Sequence, residues 1–202
     1  MTESLIFVTH NQNKITEIRE LLGGEFKLVS LKDLSIDDDI PETRTSLEGN
    51  AIQKARFIYD MFNMPCFADD SGLETDILDG APGVYSARYA GALTDFESEE
   101  IRNEANIQKL LNNLSGKTNR SARFRTVIAF IADNKEFTFD GIVNGQIANQ
   151  KRGNLGFGYD PVFVPDGFDI TFAEMSLSEK NKISHRARAL RKFVDFLKNN
   201  KK

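Results

Sequence analysis

Pro65-Cys66-Phe67-Ala68-Asp69-Asp70-Ser71-Gly72-Leu73-Glu74 carries an apolar run into two adjacent carboxylates and then a Ser-Gly pair. Such a run predicts a buried strand that delivers acids to its carboxyl end, where the sites of α/β sheets lie. Side chains alternate across a strand, so Asp69 and Asp70 reach one spot only if the strand is already ending; Gly72 is where the sequence allows that ending. By composition alone the same residues also suit a solvated turn. The rest of the chain decides between the two readings.

Just upstream, Thr45-x-x-Glu48 has the form of a capping box and opens a helix whose apolar stripe is Leu47, Ala51, Ala55, Ile58 and Phe62. Lys54 falls about 20° from Leu47 around a helix of 3.6 residues per turn, beside the buried stripe. It is either a lysine laying its stem along apolar surface or a cation held inward for an anion. Further upstream, Leu5-Ile6-Phe7-Val8 reads as a strand and Thr9-His10-Asn11-Gln12-Asn13-Lys14 as a polar loop. Ile15, Ile18, Leu21 and Leu22 then recur at helical spacing, closed by Gly23-Gly24. A loop between strand and helix offers backbone N–H groups and the helix dipole to an anion, and Lys14 adds a charge. The loop lacks the glycines of a Walker motif, so an Asn-rich turn with a surface lysine stands beside the anion reading. Residues 26–31 read as a second strand and 37–41 as an acidic loop.

Downstream, Gly80-Ala81-Pro82-Gly83 is a turn, and Thr94-x-x-Glu97 is a second capping box before a helix through Ile101, Ala105, Leu110, Leu111 and Leu114. Residues 124–132 and 136–143, joined by Asp133-Asn134-Lys135, predict an antiparallel hairpin. Residues 152–161 form a loop punctuated by glycines. From about Ser178 a last helix sets Ile183, Ala187, Leu190, Val194 and Leu197 on its core face, with His185 and Arg186 off that stripe. Mixed strands with flanking helices make this an α/β fold.

A chain of 202 residues is long enough to bury a core without covalent staples. Its single cysteine, Cys66, forms no intramolecular disulfide and reads as core packing in a reducing compartment. No apolar run nears the roughly 20 residues of a membrane span, and the start lacks the pattern of a secretory signal; the expectation is a cytoplasmic protein with no membrane partner. With 26 Lys and Arg against 30 Asp and Glu, the net charge of −4 argues against a broad nucleic-acid surface. No repeat, linker or boundary interrupts the chain, so residues 1–202 are expected to form one domain.

Together the loops gather Thr9, Asn11 and Lys14, then Glu42, then Asp69 and Asp70, and finally Lys180, His185 and Arg186. These are parts for holding phosphates and a divalent metal. Mg²⁺ prefers carboxylate oxygen and water and shares the substrate's phosphates, and Glu42 with Asp70 would suit it.

In these residues the chain closely resembles the inosine triphosphate pyrophosphatases, which hydrolyse non-standard purine nucleoside triphosphates to monophosphate and pyrophosphate. The resemblance runs in order through Phe7 to Lys14, Ile40-Pro41-Glu42-Thr43, Glu48-Gly49-Asn50-Ala51-x-x-Lys54-Ala55, Ala68-Asp69-Asp70-Ser71-Gly72-Leu73, Gly80 to Tyr89, Gly156-Phe157-Gly158-Tyr159-Asp160-Pro161 and Glu179-Lys180-Asn181-x-x-Ser184-His185-Arg186. It implies a phosphate loop of Thr9, His10, Asn11, Gln12, Asn13 and Lys14, with Lys54 reaching the phosphates from its helix. It implies Mg²⁺ on Glu42 and Asp70, Asp70 as general base with Asp69 beside it, and Ser71 touching substrate. Phe157, Gly158, Tyr159, Asp160, Lys180, His185 and Arg186 would form the base pocket. His10 stands where the family usually has glycine.

The resemblance further implies an elongated body around a mixed, strongly curved β-sheet flanked by helices, two lobes with a central cleft, and a homodimer. Substrates would be ITP, dITP and XTP. Their 6-oxo group accepts hydrogen bonds from Lys180 or Arg186, whereas adenine's 6-amino group would set donor against donor. Three rival readings fit less well. A haloacid-dehalogenase-like phosphatase needs Asp-x-Asp; a receiver domain leaves residues 156–160 and 184–186 without a role; a nucleotide sensor could dispense with Glu42 and Asp70.

Overall fold

Parallel pairing at the start of the chain sets the site's foundation. In a computed structural model, which describes residues 4–22, 24, 26–38 and 40–200, strand β1 (Ser4–Phe7) lies between β2 (Lys27–Ser30) and β3 (Cys66–Thr75). Both neighbours are parallel to it; Phe7 stands opposite Ser30 on one side and Phe67 on the other. Helix α1 (Gln12–Leu22) connects β1 with β2, and α2 (Leu47–Phe62) precedes β3. The sheet continues through β4 (Ser121–Ala132) and β5 (Lys135–Ile147) to β6 (Phe163–Pro165), which runs antiparallel to β5. The hairpin between β4 and β5 turns on Asp133 and Asn134, at φ 50° and 59°. Two successive left-handed residues match the right-handed twist of the flanking strands.

Four local expectations are corrected. Strand β3 does not end at Gly72 but continues to Thr75, so its two acids take opposite faces. Helix α2 is capped by Ser46, not Thr45: Ser46 is extended and its Oγ accepts from Gly49 N at 3.1 Å. Helix α3 (Glu99–Asn113) is capped by Ser98, with Glu99 and Glu100 in the first turn complementing its dipole; the Thr94 segment lies in a short 3-10 turn instead. The last helix is two helices, α4 (Leu177–Ile183) and α5 (His185–Asn199), broken where Ser184 adopts ψ 155°. That break ends the helical ladder and places His185 and Arg186 in the first turn of a new helix. Of the expected Gly23-Gly24 stop, Gly24 takes φ +85° and Gly23 lies outside the described residues.

The chain clusters into two compact units, each discontinuous in sequence. Unit 1 comprises Met1–Asp70, Thr126–Gly141 and Arg186–Lys202; unit 2 comprises Ser71–Arg125 and Ile142–His185. Strands β3, β4 and β5 each pass from one unit into the other, so no linker separates them along the chain. The core of unit 1 is aromatic: Phe7 stacks on Phe67 at 4.7 Å, and Phe193 of α5 packs against both Phe67 and Phe130. Ile15, Ile18 and Leu22 of α1 close it. Unit 2 buries Phe124, Phe163 and Phe172 against Ile107 and Leu110 of α3, together with Leu114. Each such side chain contributes roughly 1.5–3 kcal/mol on burial. Cys66 is buried, its thiol donating to Ala55 O at 3.2 Å, and burial pushes its pKa up to about 12. Among the described residues no helix is long and apolar enough to cross a membrane.

Candidate active site

In unit 1, β1 ends beside Phe67, so Asp69 and Asp70 run on past its carboxyl end, next to the loop that enters α1. The loop's own polar groups build that entry. Asn11 Oδ1 accepts from Lys14 N at 3.0 Å, capping α1, and Thr9 Oγ1 accepts from Asn11 N at 3.2 Å. The remaining first-turn N–H groups point out of the helix end, the geometry that favours an anion. The His10 ring lies 3.0 Å from Asp38 O, tying this loop to the acidic loop, and His10 is exposed. Gln12 and Asn13 are exposed at the same end of α1.

The two acids do different things because they face different ways. On one side of β3, Asp70 meets α2: Asn50 Nδ2 donates to Asp70 Oδ2 at 3.2 Å, and Lys54 Nζ lies 3.6 Å from Asp70 Oδ1. The same ammonium lies 2.5 Å from Glu42 Oε1. Glu42 is held there by its neighbour Thr43, whose N donates to Gln53 Oε1 at 3.0 Å on α2. Lys54 thus sits between two carboxylates. It is 5% exposed, and burial disfavours its charge, but Asp70 and Glu42 outweigh burial and raise its pKa. Burial dominates at Asp70, raising its carboxyl pKa above the ordinary value against the pull of Lys54 and Lys14. A carboxyl whose pKa is raised binds a proton more strongly than an ordinary aspartate.

On the other side, Asp69 is fully buried. Lys14 Nζ lies 3.0 Å from its Oδ1, and Arg186 Nε lies 3.1 Å from its Oδ2. Arg186 also pairs with Glu17 of α1. Burial opposes charge on Asp69, yet Lys14, Arg186 and Lys54 overcome it and hold this carboxyl well below the carboxylate range. Asp69 is therefore a fixed anion. Arg186, expected in a base pocket, is 2% exposed with two of its nitrogens on carboxylates of unit 1.

Unit 2 carries the aromatic part. Lys180 Nζ lies 2.6 Å from Asp160 Oδ2, which also accepts from Phe157 N at 2.9 Å. The ammonium sits 5.0 Å from the centre of the Phe157 ring and 5.6 Å from that of Phe172. Gly156, at φ +73°, passes so close that a Cβ there would collide with the Asp160 carboxylate. Tyr159 OH donates to Ser86 O at 2.9 Å, anchoring the loop to the 3-10 turn Gly83–Arg88, and His185 stacks on Phe124 at 4.6 Å. Gly158 takes φ +59°, and Ser71 is half-buried where β3 enters unit 2.

The sequence-expected residues thus fall into a cluster in unit 1, Thr9 to Lys14 with Glu42, Lys54, Asp69, Asp70 and Arg186, and one in unit 2, Ser71, Phe157 to Asp160, Lys180 and His185. Two residues carry weight that sequence reasoning did not assign. Asn50 lies one turn before Lys54 and Glu17 one turn after Lys14, so helical spacing from each lysine was the available signal. As a metal site, Glu42 and Asp70 offer hard carboxylate oxygens that already converge on one cation, Lys54 Nζ. Among the described residues no group of three or more His, Cys, Asp or Glu side chains gathers. A two-carboxylate set fits Mg²⁺, which keeps water and phosphate as its other ligands.

Comparison with known proteins finds relatives over nearly the whole chain. The model of the Ham1 family matches residues 5–196. A dITP/XTP pyrophosphatase of Flavobacterium psychrophilum is 49% identical over 96% of this chain and 99% of its own length. Another of that name from Porphyromonas gingivalis is 50% identical over 96% and 97%. Among solved structures, the Staphylococcus aureus Ham1 protein superposes with a TM-score of 0.86 at 38% identity, covering 98% of this chain and all of its own.

Proposed function

The chain belongs to the Ham1 family, and from that premise we propose that it hydrolyses the non-standard purine nucleoside triphosphates ITP, dITP and XTP to monophosphate and pyrophosphate. The convergence of Glu42, Asp70 and Lys54 beside a capped, cationic helix N-terminus carries the reading. Glu42 and Asp70 would hold Mg²⁺, which when bound neutralises phosphate charge in the transition state. The N–H groups of this loop that its own caps do not use and the Lys14 ammonium bind the phosphates, and Lys54 shields the same negative charge. Asp70 takes the proton of the attacking water at its carboxylate, a role its raised pKa suits. Asp69 does not share that proton; it is the counter-charge for Lys14 and Arg186.

For the base, Lys180 donates to the 6-oxo group and Phe157 supplies an apolar face. Asp160 and Tyr159 shape the loop that presents them, with Gly158 in its turn; Ser71 and His185 complete the substrate's surroundings. Residues 1–202 act as one domain, since three strands run through both units. The enzyme works in the cytoplasm as a homodimer, for which sedimentation equilibrium at twice the chain mass is the check.

The deciding experiment incubates ITP with Mg²⁺ and the enzyme, free of contaminating inorganic pyrophosphatase. Pyrophosphate and IMP are expected as first products; orthophosphate as the first product would sink the assignment. Base choice has its own test. Replacing the ion pair as a unit, Lys180→Met with Asp160→Asn, removes both of its charges together. It should narrow the kcat/KM preference for ITP over ATP by about tenfold. Equal loss on both nucleotides would assign the pair to folding instead.

A further inference from the structure

Lys14 belongs to a line of four buried or half-buried charges, in the order Lys14, Asp69, Arg186, Glu17, all within unit 1. Lys14 and Glu17 occupy the same helix, α1, one turn apart, while Asp69 comes from β3 and Arg186 from the first turn of α5. The signs alternate and sum to zero. Asp69, Arg186 and Glu17 are 0%, 2% and 3% exposed, whereas the Lys14 side chain is 16% exposed, so only that end of the line meets solvent.

Lys14 must leave Asp69, at least in part, to meet a phosphate. A buried carboxylate abandoned by its cation is strongly disfavoured. Here Asp69 keeps Arg186 on its second oxygen, so the exchange leaves it paired. Arg186 can serve two carboxylates because its Nε goes to Asp69 and its Nη1 to Glu17. Without the charge of Glu17, Arg186 is drawn wholly to Asp69 and competes with Lys14 for that carboxylate.

We propose that Glu17 is a positioning residue for phosphate binding: by sharing Arg186 with Asp69 it keeps Asp69 available to aim Lys14 at the substrate's phosphates. The inference rests on the triphosphate reading above, and it predicts an effect on substrate binding rather than on the chemical step. Asp70, Asn50, Lys54 and Glu42 lie on the opposite side of β3 and are left in place.

The test is a double-mutant cycle between Glu17 and Lys14, read by KM and kcat for ITP and by calorimetric affinity for inorganic tripolyphosphate. Glu17→Gln is expected to raise KM and the tripolyphosphate Kd about tenfold with kcat changed less than about threefold. In a Lys14→Met background the same substitution should change either constant by less than about twofold, because its effect passes through Lys14. Glu17→Asp, which keeps the charge, should recover much of the affinity, and Glu17→Met, which also lacks the charge, replaces Glu17→Gln in the cycle if that variant does not fold. A tenfold loss that persists in Lys14→Met, or a loss confined to kcat, overturns the proposal. If the wild type releases no pyrophosphate from ITP, the assigned reaction fails while the tripolyphosphate cycle still decides the coupling.

Discussion

Asp70→Asn is expected to lower kcat for ITP by at least about 10²-fold, because one substitution removes the proposed proton acceptor and a proposed metal ligand together. The change is nearly isosteric. Asn50 Nδ2 can still reach an oxygen at this position, and Lys54 retains Glu42 at 2.5 Å, so the fold should survive. The raised pKa of Asp70 says that its charge is held at some cost in the folded state, burial outweighing Lys54 and Lys14. Removing that charge should therefore leave stability equal to wild type or higher. The combination is diagnostic: a collapse in turnover with an undiminished Tm, measured on the same preparation. Near wild-type turnover would show that the carboxylate facing α2 is not the proton acceptor.

The largest effect on stability is expected at Arg186. Arg186→Leu strips the shared cation from two buried carboxylates, Asp69 and Glu17, and breaking a buried pair from one side costs about 3–5 kcal/mol. For a chain of this size each kcal/mol lowers Tm by roughly 2–4 °C, so the fall is on the order of 10 °C. The pH dependence has a definite sign. Asp69 is depressed in the folded state, burial being overcome by Lys14 and Arg186, so its stabilisation is complete above its ordinary pKa of 3.8. It is lost as pH falls through the lower, folded value. The gap between wild type and Arg186→Leu should thus be full at neutral pH and shrink in acid below the ordinary range. A gap unchanged down to strongly acidic pH, followed by denaturant unfolding, would mean that Arg186 stabilises by packing alone.

Much of this protein is written in local chemistry that survives without the fold. The apolar run before Asp69, the β-forming residues in the segments flanking Asp133-Asn134 and the stripe through Ala51, Ala55 and Ile58 name strands and helices, since propensity and periodicity depend only on neighbours in sequence. The ordered motifs from Thr9 to Arg186 name the family, because they preserve residue types at fixed positions. What they leave open is which way each side chain faces. Gly72 permits an end to β3, and Asp69 and Asp70 would then share a spot; but strand pairing carries β3 on to Thr75, and the pleat sends the two acids apart.

The same holds at the other end of the chain. Helical spacing runs unbroken across Ser184, yet the backbone breaks there, and the new helix turns Arg186 inward between Asp69 and Glu17. Nothing near residue 186 signals a partner 117 or 169 positions away. Residue types and local periods are properties of the sequence itself; the pairing of buried charges is a property of distance in three dimensions, and only the tertiary structure turns Asp70 to Asn50 and Lys54 and Asp69 to Lys14 and Arg186.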